Sequence, residues 1–108
     1  VLLCSGSTGN VASKTIDLEA WFPAKQTFRE LASCSNCLDY QARRSNTKYK
    51  TKSSETEFVY TLNNTAIATE RTLACILENF QQKDGSIKIP KILHKYTGFK
   101  EIKAIKKK

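Results

Sequence analysis

The sequence lacks any long apolar run. No stretch approaches the roughly 18 apolar residues of a transmembrane helix, and no signal-peptide pattern is visible. Metal-ligand spacing is also missing, because Cys34 and Cys37 form a lone Cys-x-x-Cys pair and Cys4, Cys75 and the single His94 stand apart. We therefore predict no membrane association, and free cysteine thiols of a cytoplasmic protein rather than a disulfide or a zinc site.

Acidic residues are few relative to basic ones. The 108 residues contain 18 Lys and Arg against 10 Asp and Glu, which gives a net charge of +8. This balance favours a polyanionic partner without identifying one. Part of the excess lies in residues 100–108, which we predict to be a solvated, partly disordered basic tail. Residues 1–99 are enough for one domain.

Alternating apolar and polar residues predict a strand over residues 15–22. Its predicted buried face is Ile16, Leu18, Ala20 and Phe22, and its outer face is Thr15, Asp17, Glu19 and Trp21. Further strands are predicted at 1–4, 28–35, 47–50, 58–62 and 86–89, with short helices at 38–46 and 91–96. Short turns join most of them, so the predicted fold is α+β, an antiparallel sheet with one long C-terminal helix packed on it.

The long helix is predicted within residues 61–82. Its core-facing stripe is Ala66, Leu73, Ile76, Leu77 and Phe80, and its N-caps are Asn63, Asn64 and Thr65. The opposite face carries small apolar residues, namely Ile67, Ala68, Ala74 and Cys75, so the helix is predicted to be buried on both sides.

Arg71 lies on that second face. A permanent cation among apolar side chains requires an anion, because a desolvated charge is costly unless it is paired. Glu78, another protein carboxylate and a bound phosphate are the candidates, with an arginine that simply reaches solvent as the remaining alternative.

Two long blocks carry a family resemblance. FRELASCSNCLDYQARRSNTKYK and EFVYTLNNTAIATERTLACILENFQQKDGSIKIPKILHKYTG closely resemble the C-terminal part of the catalytic domain of seryl-tRNA synthetases, a family of class II aminoacyl-tRNA synthetases. The preceding KTIDLEAWFP is similar as well, so the resemblance covers residues 1–99, with motif 3 at about 61–82. It implies a ligase that condenses serine with ATP to seryl-adenylate and passes serine to tRNA.

The resemblance also implies roles for particular residues. Arg71 matches the catalytic motif 3 arginine that lies against the ATP phosphates, and the run Glu30, Leu31, Ala32 and Ser33 matches an ATP-binding segment. Within that run, Glu30 and Ser33 match the positions that bind Mg²⁺ through ATP. Because they would point to opposite faces of a regular strand, we predict a bulge or a strand end near Ala32.

Asn63 and Thr65 match positions that bind the substrate serine. The block Gln41, Ala42, Arg43 and Arg44 also matches the family, and we predict a structural or electrostatic role for it. Asp17 and Glu19 could form an acid/base pair, but a charged outer face or an acceptor for an arginine is the simpler interpretation.

The family's tRNA-binding coiled coil, motif 1 and motif 2 are not found in this sequence. We therefore expect the chain to act with the remainder of a synthetase chain, as a homodimer in the full-length enzyme, with ATP, Mg²⁺, L-serine and tRNA(Ser) as cofactors and partners. The alternatives are a stand-alone basic RNA-binding module derived from a synthetase and a regulatory paralogue.

Overall fold

The structure is a computed structural model that describes residues 1–105. Its strands are β1 (Lys14–Phe22), β2 (Thr27–Leu38), β3 (Lys48–Lys50), β4 (Thr56–Phe58), β5 (Thr61–Asn64), β6 (Ile87–Lys88) and β7 (Glu101–Ile102). Its α-helices are α1 (Tyr40–Ser45), α2 (Thr69–Phe80) and α3 (His94–Thr97), and 3₁₀ turns cover Ser5–Ser7 and Lys91–Leu93.

Three sheets organise these strands. The largest has the order β1-β2-β5, and β3-β4 and β6-β7 form two-stranded sheets. The pairs β2–β5, β3–β4 and β6–β7 are antiparallel. The predicted α+β class with antiparallel pairing is confirmed. No helix within residues 1–105 is long and apolar enough to cross a membrane.

The chain divides into two compact units, and β1 and β2 contribute to both. Unit 1 comprises Val1–Glu19 and Glu30–Ile67. Unit 2 comprises Ala20–Arg29 and the described residues from Ala68 onward. In unit 1, the buried apolar side chains are the small ones of Ala32, Cys37 and Ala42.

The two faces of β1 in unit 1 are the reverse of the prediction. Thr15 and Asp17 are only 4% and 8% exposed, whereas Ile16 and Leu18 are 49% and 66% exposed. The alternation itself is present. Thr15 can face inward because its hydroxyl lies 2.9 Å from the Ser35 hydroxyl, which satisfies the buried polar group. The charged outer face predicted for Asp17 and Glu19 is therefore wrong, since Asp17 is buried.

The strand predicted at 58–62 is two strands. β4 pairs with β3, with Lys48 opposite Phe58, whereas β5 pairs with β2. The chain leaves one ladder at Val59 and Tyr60 before it joins the other. A single sequence pattern therefore serves two sheets.

Helix α2 is shorter and more exposed than predicted. It begins at Thr69, and its N-cap Ala68 makes no side-chain cap hydrogen bond. The predicted caps Asn63 and Asn64 lie instead in β5, because residues 61–64 are taken up by pairing with β2. No residue of α2 is fully buried. The helix is joined to β1 by Asn79, whose side-chain amide donates to the Trp21 carbonyl at 2.9 Å.

The C-terminal part of unit 2 contains the predicted turn at Asp84 and Gly85. Asp84 Oδ1 accepts the Ser86 N–H at 3.0 Å and the Ser86 hydroxyl at 2.7 Å, and these bonds lower the pKa of Asp84. β7 lies inside the segment predicted to be a basic tail, so that segment is partly ordered. Residues 106–108 of the predicted tail lie outside the described residues.

Candidate functional site

The run Glu30–Ser33 occupies the middle of β2 in unit 1. Ala32 is buried, and Glu30, Leu31 and Ser33 are half-buried. The small side chain of Ala32 packs in the interior, whereas the polar side chains of Glu30 and Ser33 are partly exposed and accessible to a ligand.

The strand end predicted near Ala32 is wrong, whereas the bulge predicted there stays a prediction, because the pairing of β2 with β5 begins only at Cys34. β2 continues through Ala32 to Leu38, and its register against β5 shifts between Asn36 and Leu38. There the Asn36 Oδ1 atom accepts the Leu38 N–H at 3.0 Å, and Leu38 has a φ of 45°. The asparagine side chain takes an N–H that a regular ladder would use, which explains the bulge at this position.

Asn63 and Thr65 lie beside the same strand. Asn63 is the partner of Ser35, and Asn64 is the partner of Cys34. Thr65 directly follows Asn64, the last residue of β5. Both Asn63 and Thr65 are exposed. Asn63 is therefore paired two residues along β2 from Ser33, the last residue of the predicted ATP-binding run, although Ser33 and Asn63 are thirty residues apart in sequence.

Arg71 lies in the first turn of α2, in unit 2, and is exposed. It lines a groove of about 250 Å³ together with Phe22, Lys25, Arg29, Glu70, Ala74 and Glu78. The prediction that Arg71 lies among small apolar side chains is therefore wrong. The reason is that α2 is only half-buried, so charged residues of the β1–β2 turn and of the helix itself share this surface.

Two groove residues were missed by the sequence reasoning. Lys25 lies in the turn after β1, and Arg29 lies near the start of β2. Lys25 is within the turn and Arg29 lies shortly after its end, so a pair of cations around a tight turn was the available signal. With Arg71 they give three cations against the carboxylates of Glu70 and Glu78, a balance that suits a polyphosphate.

Glu78 has a defined contact within unit 2. Its Oε2 atom accepts the backbone N–H of Ala24 at 3.1 Å. This bond ties the β1–β2 turn to α2, and it places Glu78 at the wall of the groove. Among the anions considered as partners of Arg71, Glu78 therefore lines the same groove as the arginine.

The Gln41–Arg44 block divides into two halves. Ala42 is 1% exposed, and Gln41 Oε1 accepts the Thr61 hydroxyl at 2.7 Å, so these two residues join α1 to β5. Arg43 and Arg44 are exposed. The alternatives predicted for this block, structural and electrostatic, thus fall on different residues.

The predicted metal ligands, Glu30 and Ser33, are oxygen donors. All four cysteines are free thiols. Within residues 1–105, no three His, Cys, Asp or Glu side chains gather in a metal-binding cluster. Glu30 and Ser33 nevertheless have the hard oxygen atoms that Mg²⁺ prefers, and Mg²⁺ commonly takes only one or two protein ligands beside phosphate oxygens. The donor types fit that ion.

The family follows from a comparison with known domains. Residues 1–80 match the model of the tRNA synthetase class II core domain (G, H, P, S and T). This chain belongs to the class II tRNA synthetase core domain family. The family assignment accounts for the antiparallel sheet followed by α2.

Among curated proteins, relatives of this class II chain are serine–tRNA ligases. The chain is 53% identical over 109 residues to the one from Pyrococcus abyssi, covering 100% of this chain and 24% of the relative. It is 55% identical over 96 residues to the one from Campylobacter hominis, covering 89% of this chain and 23% of the relative. The chain thus spans about a quarter of the length of these relatives.

Two solved structures are similar to this fold. One is seryl-tRNA synthetase from Pyrococcus horikoshii complexed with ATP, with a TM-score of 0.92 and 51% identity over 97% of this chain and 24% of that one. The other is cytoplasmic serine–tRNA ligase from Naegleria fowleri in complex with AMP, with a TM-score of 0.83 and 49% identity over 94% of this chain and 24% of that one. The resemblance to seryl-tRNA synthetases is confirmed, and it favours the synthetase interpretation over a stand-alone RNA-binding module.

Proposed function

We propose that this chain is the part of a serine–tRNA ligase that binds ATP and serine for seryl-adenylate formation. The observation that supports the proposal is the β2–β5 register, in which Asn63 pairs with Ser35, two residues from Ser33 on the same strand. A nucleotide bound by Glu30–Ser33 and an amino acid bound by Asn63 and Thr65 would therefore lie near each other. The ATP and AMP complexes of the two similar structures support a nucleotide as one ligand.

Arg71 is proposed to hold the ATP phosphates. Adenylation is an in-line attack of the serine carboxylate on the α-phosphate, so positioning and charge neutralisation matter more than proton transfer. A guanidinium binds two phosphate oxygens in a fork, which an ammonium cannot do. Lys25 and Arg29 in the same groove extend the positive surface available to the triphosphate.

Glu30 and Ser33 are proposed to hold Mg²⁺ through the bound ATP, which requires the bulge predicted near Ala32 to turn both side chains toward one ion. When bound, the ion would neutralise phosphate charge. Glu30 supplies a carboxylate oxygen, and Ser33 supplies a hydroxyl that can also donate to a phosphate oxygen. The intervening Leu31 and Ala32 are proposed to support the nucleotide by contact.

Asn63 and Thr65 are proposed to recognise serine. The substrate hydroxyl needs polar partners, and a site built for it leaves those partners unpaired when the hydroxyl is missing. An exposed amide and an exposed hydroxyl side by side provide both donor and acceptor atoms.

The wider setting is proposed from the relatives. Their other three quarters would supply the remaining ATP- and serine-binding groups, so we propose that the chain works in a longer, homodimeric synthetase that acts on tRNA(Ser) in the cytoplasm. We propose that residues 1–99 form the functional domain and that its motif 3 region is at about 61–82.

The test is a chimera in which this chain replaces the matching segment of the Pyrococcus horikoshii enzyme. Serine-dependent ATP–pyrophosphate exchange within about tenfold of the parent is expected, because the exchanged segment is half identical and closely superimposable. Alanine and threonine serve as control amino acids. A folded chimera that exchanges all three equally, or none of them, would contradict the proposal.

A further inference from the structure

A basic surface of unit 1 is not used by the adenylation site. It is formed by helix α1 and the β3–β4 hairpin, and we name it the α1–hairpin surface. Its members are Tyr40, Arg43, Arg44, Lys48, Lys50 and Lys52, all exposed. A cavity of about 560 Å³ at its helical end is lined by Tyr40, Arg43 and Arg44.

The phenyl ring of Phe58 gathers two of the cations. The Arg43 guanidinium carbon lies 5.2 Å from the ring centroid, and the Lys48 Nζ atom lies 4.8 Å from it. Lys48 is the cross-strand partner of Phe58, so both side chains are on one face of the hairpin. Lys50, two residues further, shares that face. The fold thus concentrates positive charge, and an external anion would relieve the repulsion.

Carboxylates compensate this charge only in part. Asp39 Oδ2 accepts from Arg43 Nε at 2.9 Å and from Arg43 Nη2 at 2.5 Å, which lowers the pKa of Asp39 and raises that of Arg43. Glu57 accepts the Tyr49 hydroxyl at 2.7 Å from the other face of the hairpin. Within residues 1–105, Arg44, Lys48, Lys50 and Lys52 make no ion pair.

We propose that the α1–hairpin surface binds the sugar-phosphate backbone of RNA, with a base stacked on Tyr40. Uncompensated cations in a row bind successive phosphates, and an exposed tyrosine beside them offers a face for a base. Asp39 holds Arg43 against Phe58, so this arginine meets the backbone already positioned. The proposal rests on the proposed function only in naming that RNA as tRNA.

The first test measures binding of the 108-residue chain to a fluorescein-labelled tRNA transcript. The variant is Arg44→Ala/Lys50→Ala/Lys52→Ala, which keeps both cations on Phe58 and so leaves the hairpin packing intact. Its matched control is Lys83→Ala/Lys91→Ala/Lys103→Ala, three exposed lysines of unit 2. We expect the first to weaken binding about 10- to 100-fold and to reduce the salt slope by roughly 2 to 3, and the control to change the affinity less than about threefold.

Tyr40 separates stacking from simple charge attraction. Tyr40→Ala is expected to weaken binding about tenfold, whereas Tyr40→Phe keeps the aromatic face and should stay within about twofold. Equal losses in the two triple variants would mean diffuse charge attraction and would overturn the proposal. Unchanged RNA affinity in the first variant would also overturn it. A parallel assay measures binding to phosphatidylserine vesicles, and a first variant that loses vesicle binding but keeps RNA binding would overturn it as well.

The chimera distinguishes a failure here from a failure of the proposed function. Serine-dependent exchange requires no RNA, so the first triple variant should leave it within about twofold while kcat/KM for tRNA falls about 10- to 100-fold. A wild-type chimera without exchange counts against the proposed function alone. Exchange retained with unchanged kcat/KM for tRNA counts against the RNA surface alone.

Discussion

Thr65 shows how a single side chain outside any helix or strand is tied to the proposed chemistry. It directly follows β5, whose last residue, Asn64, pairs with Cys34, the neighbour of Ser33 on β2. In the chimera, Thr65→Val removes the hydroxyl at constant shape and should lower kcat/KM for serine by about 10- to 100-fold, because the substrate hydroxyl loses a partner. Exchange kinetics at varied serine measure this. Thr65→Ser should remain near the parent, and a KM for ATP raised as much as that for serine would contradict the role.

Asp39 gives a pH-dependent prediction. The Arg43 hydrogen bonds hold the pKa of Asp39 below its ordinary value of about 3.9. The carboxylate therefore contributes stability that is complete above the unfolded pKa and is lost as the pH falls through the lower, folded pKa. The difference in unfolding free energy between the parent chain and Asp39→Asn should be constant at neutral pH and shrink only below about pH 4. Denaturant titrations across pH test this, and a difference that grows on acidification would be the opposite result.

Among elements, the turn into β6 depends on glycine. Gly85 has a φ of 81°, and a Cβ there would lie 3.5 Å from the Ala104 Cβ, so the space is sufficient but the backbone conformation is strained. Gly85→Ala should destabilise unit 2 by about 1 kcal/mol. Faster hydrogen exchange at the Gln82 amide, which donates to the Ser86 carbonyl at 2.7 Å, would report it. Gly6→Ala is the control, since no atom lies within 4 Å of its Cβ position.

Element types were predictable where local chemistry decides them. The Asp84-Gly85 turn and the short helix after Pro90 agree with the structure, because glycine and proline restrict the backbone at these positions. The start of α2 was not predictable in this way. Asn63 and Asn64 are good N-caps, but pairing of residues 61–64 with β2 is a long-range effect that overrides a local preference.

The candidate site divides in the same manner. The resemblance predicts its residue types, and the structure has Glu30–Ser33 in β2 and Asn63 in the adjacent β5, with Thr65 directly after β5. Lys25 and Arg29 are not predicted, because the pair of cations around the turn does not by itself show that the β1–β2 turn meets α2 beside Arg71. The bulge at Asn36 to Leu38 depends on one side-chain hydrogen bond. The sequence predicts a bulge only near Ala32 and not at this position.

At the scale of the whole molecule, one face of the unit 1 sheet is apolar and exposed. Ile16 and Leu18 of β1 are 49% and 66% exposed, and Leu62 of β5 is 75% exposed. The relatives are about four times longer than this chain, so we predict that other parts of a complete synthetase cover this face. Leu18→Lys should leave the unfolding free energy of the 108-residue chain within about 0.5 kcal/mol but lower that of the chimera by more than about 2 kcal/mol. Equal effects in both proteins would show that the face is not covered.

The central claim is that Arg71 and its groove hold the phosphates of ATP, and the most direct measurement is ATP–pyrophosphate exchange by the chimera carrying Arg71→Ala. Exchange should fall about 10²- to 10³-fold, and Arg71→Lys should restore little of it, because an ammonium lacks the two-pronged contact. Lys83→Ala, an exposed cation outside the groove, is the control and should match the parent. Affinity for tRNA should barely change in Arg71→Ala. Exchange that survives this substitution, or a loss of exchange matched by an equal loss of tRNA affinity, would contradict the assignment of Arg71 to ATP.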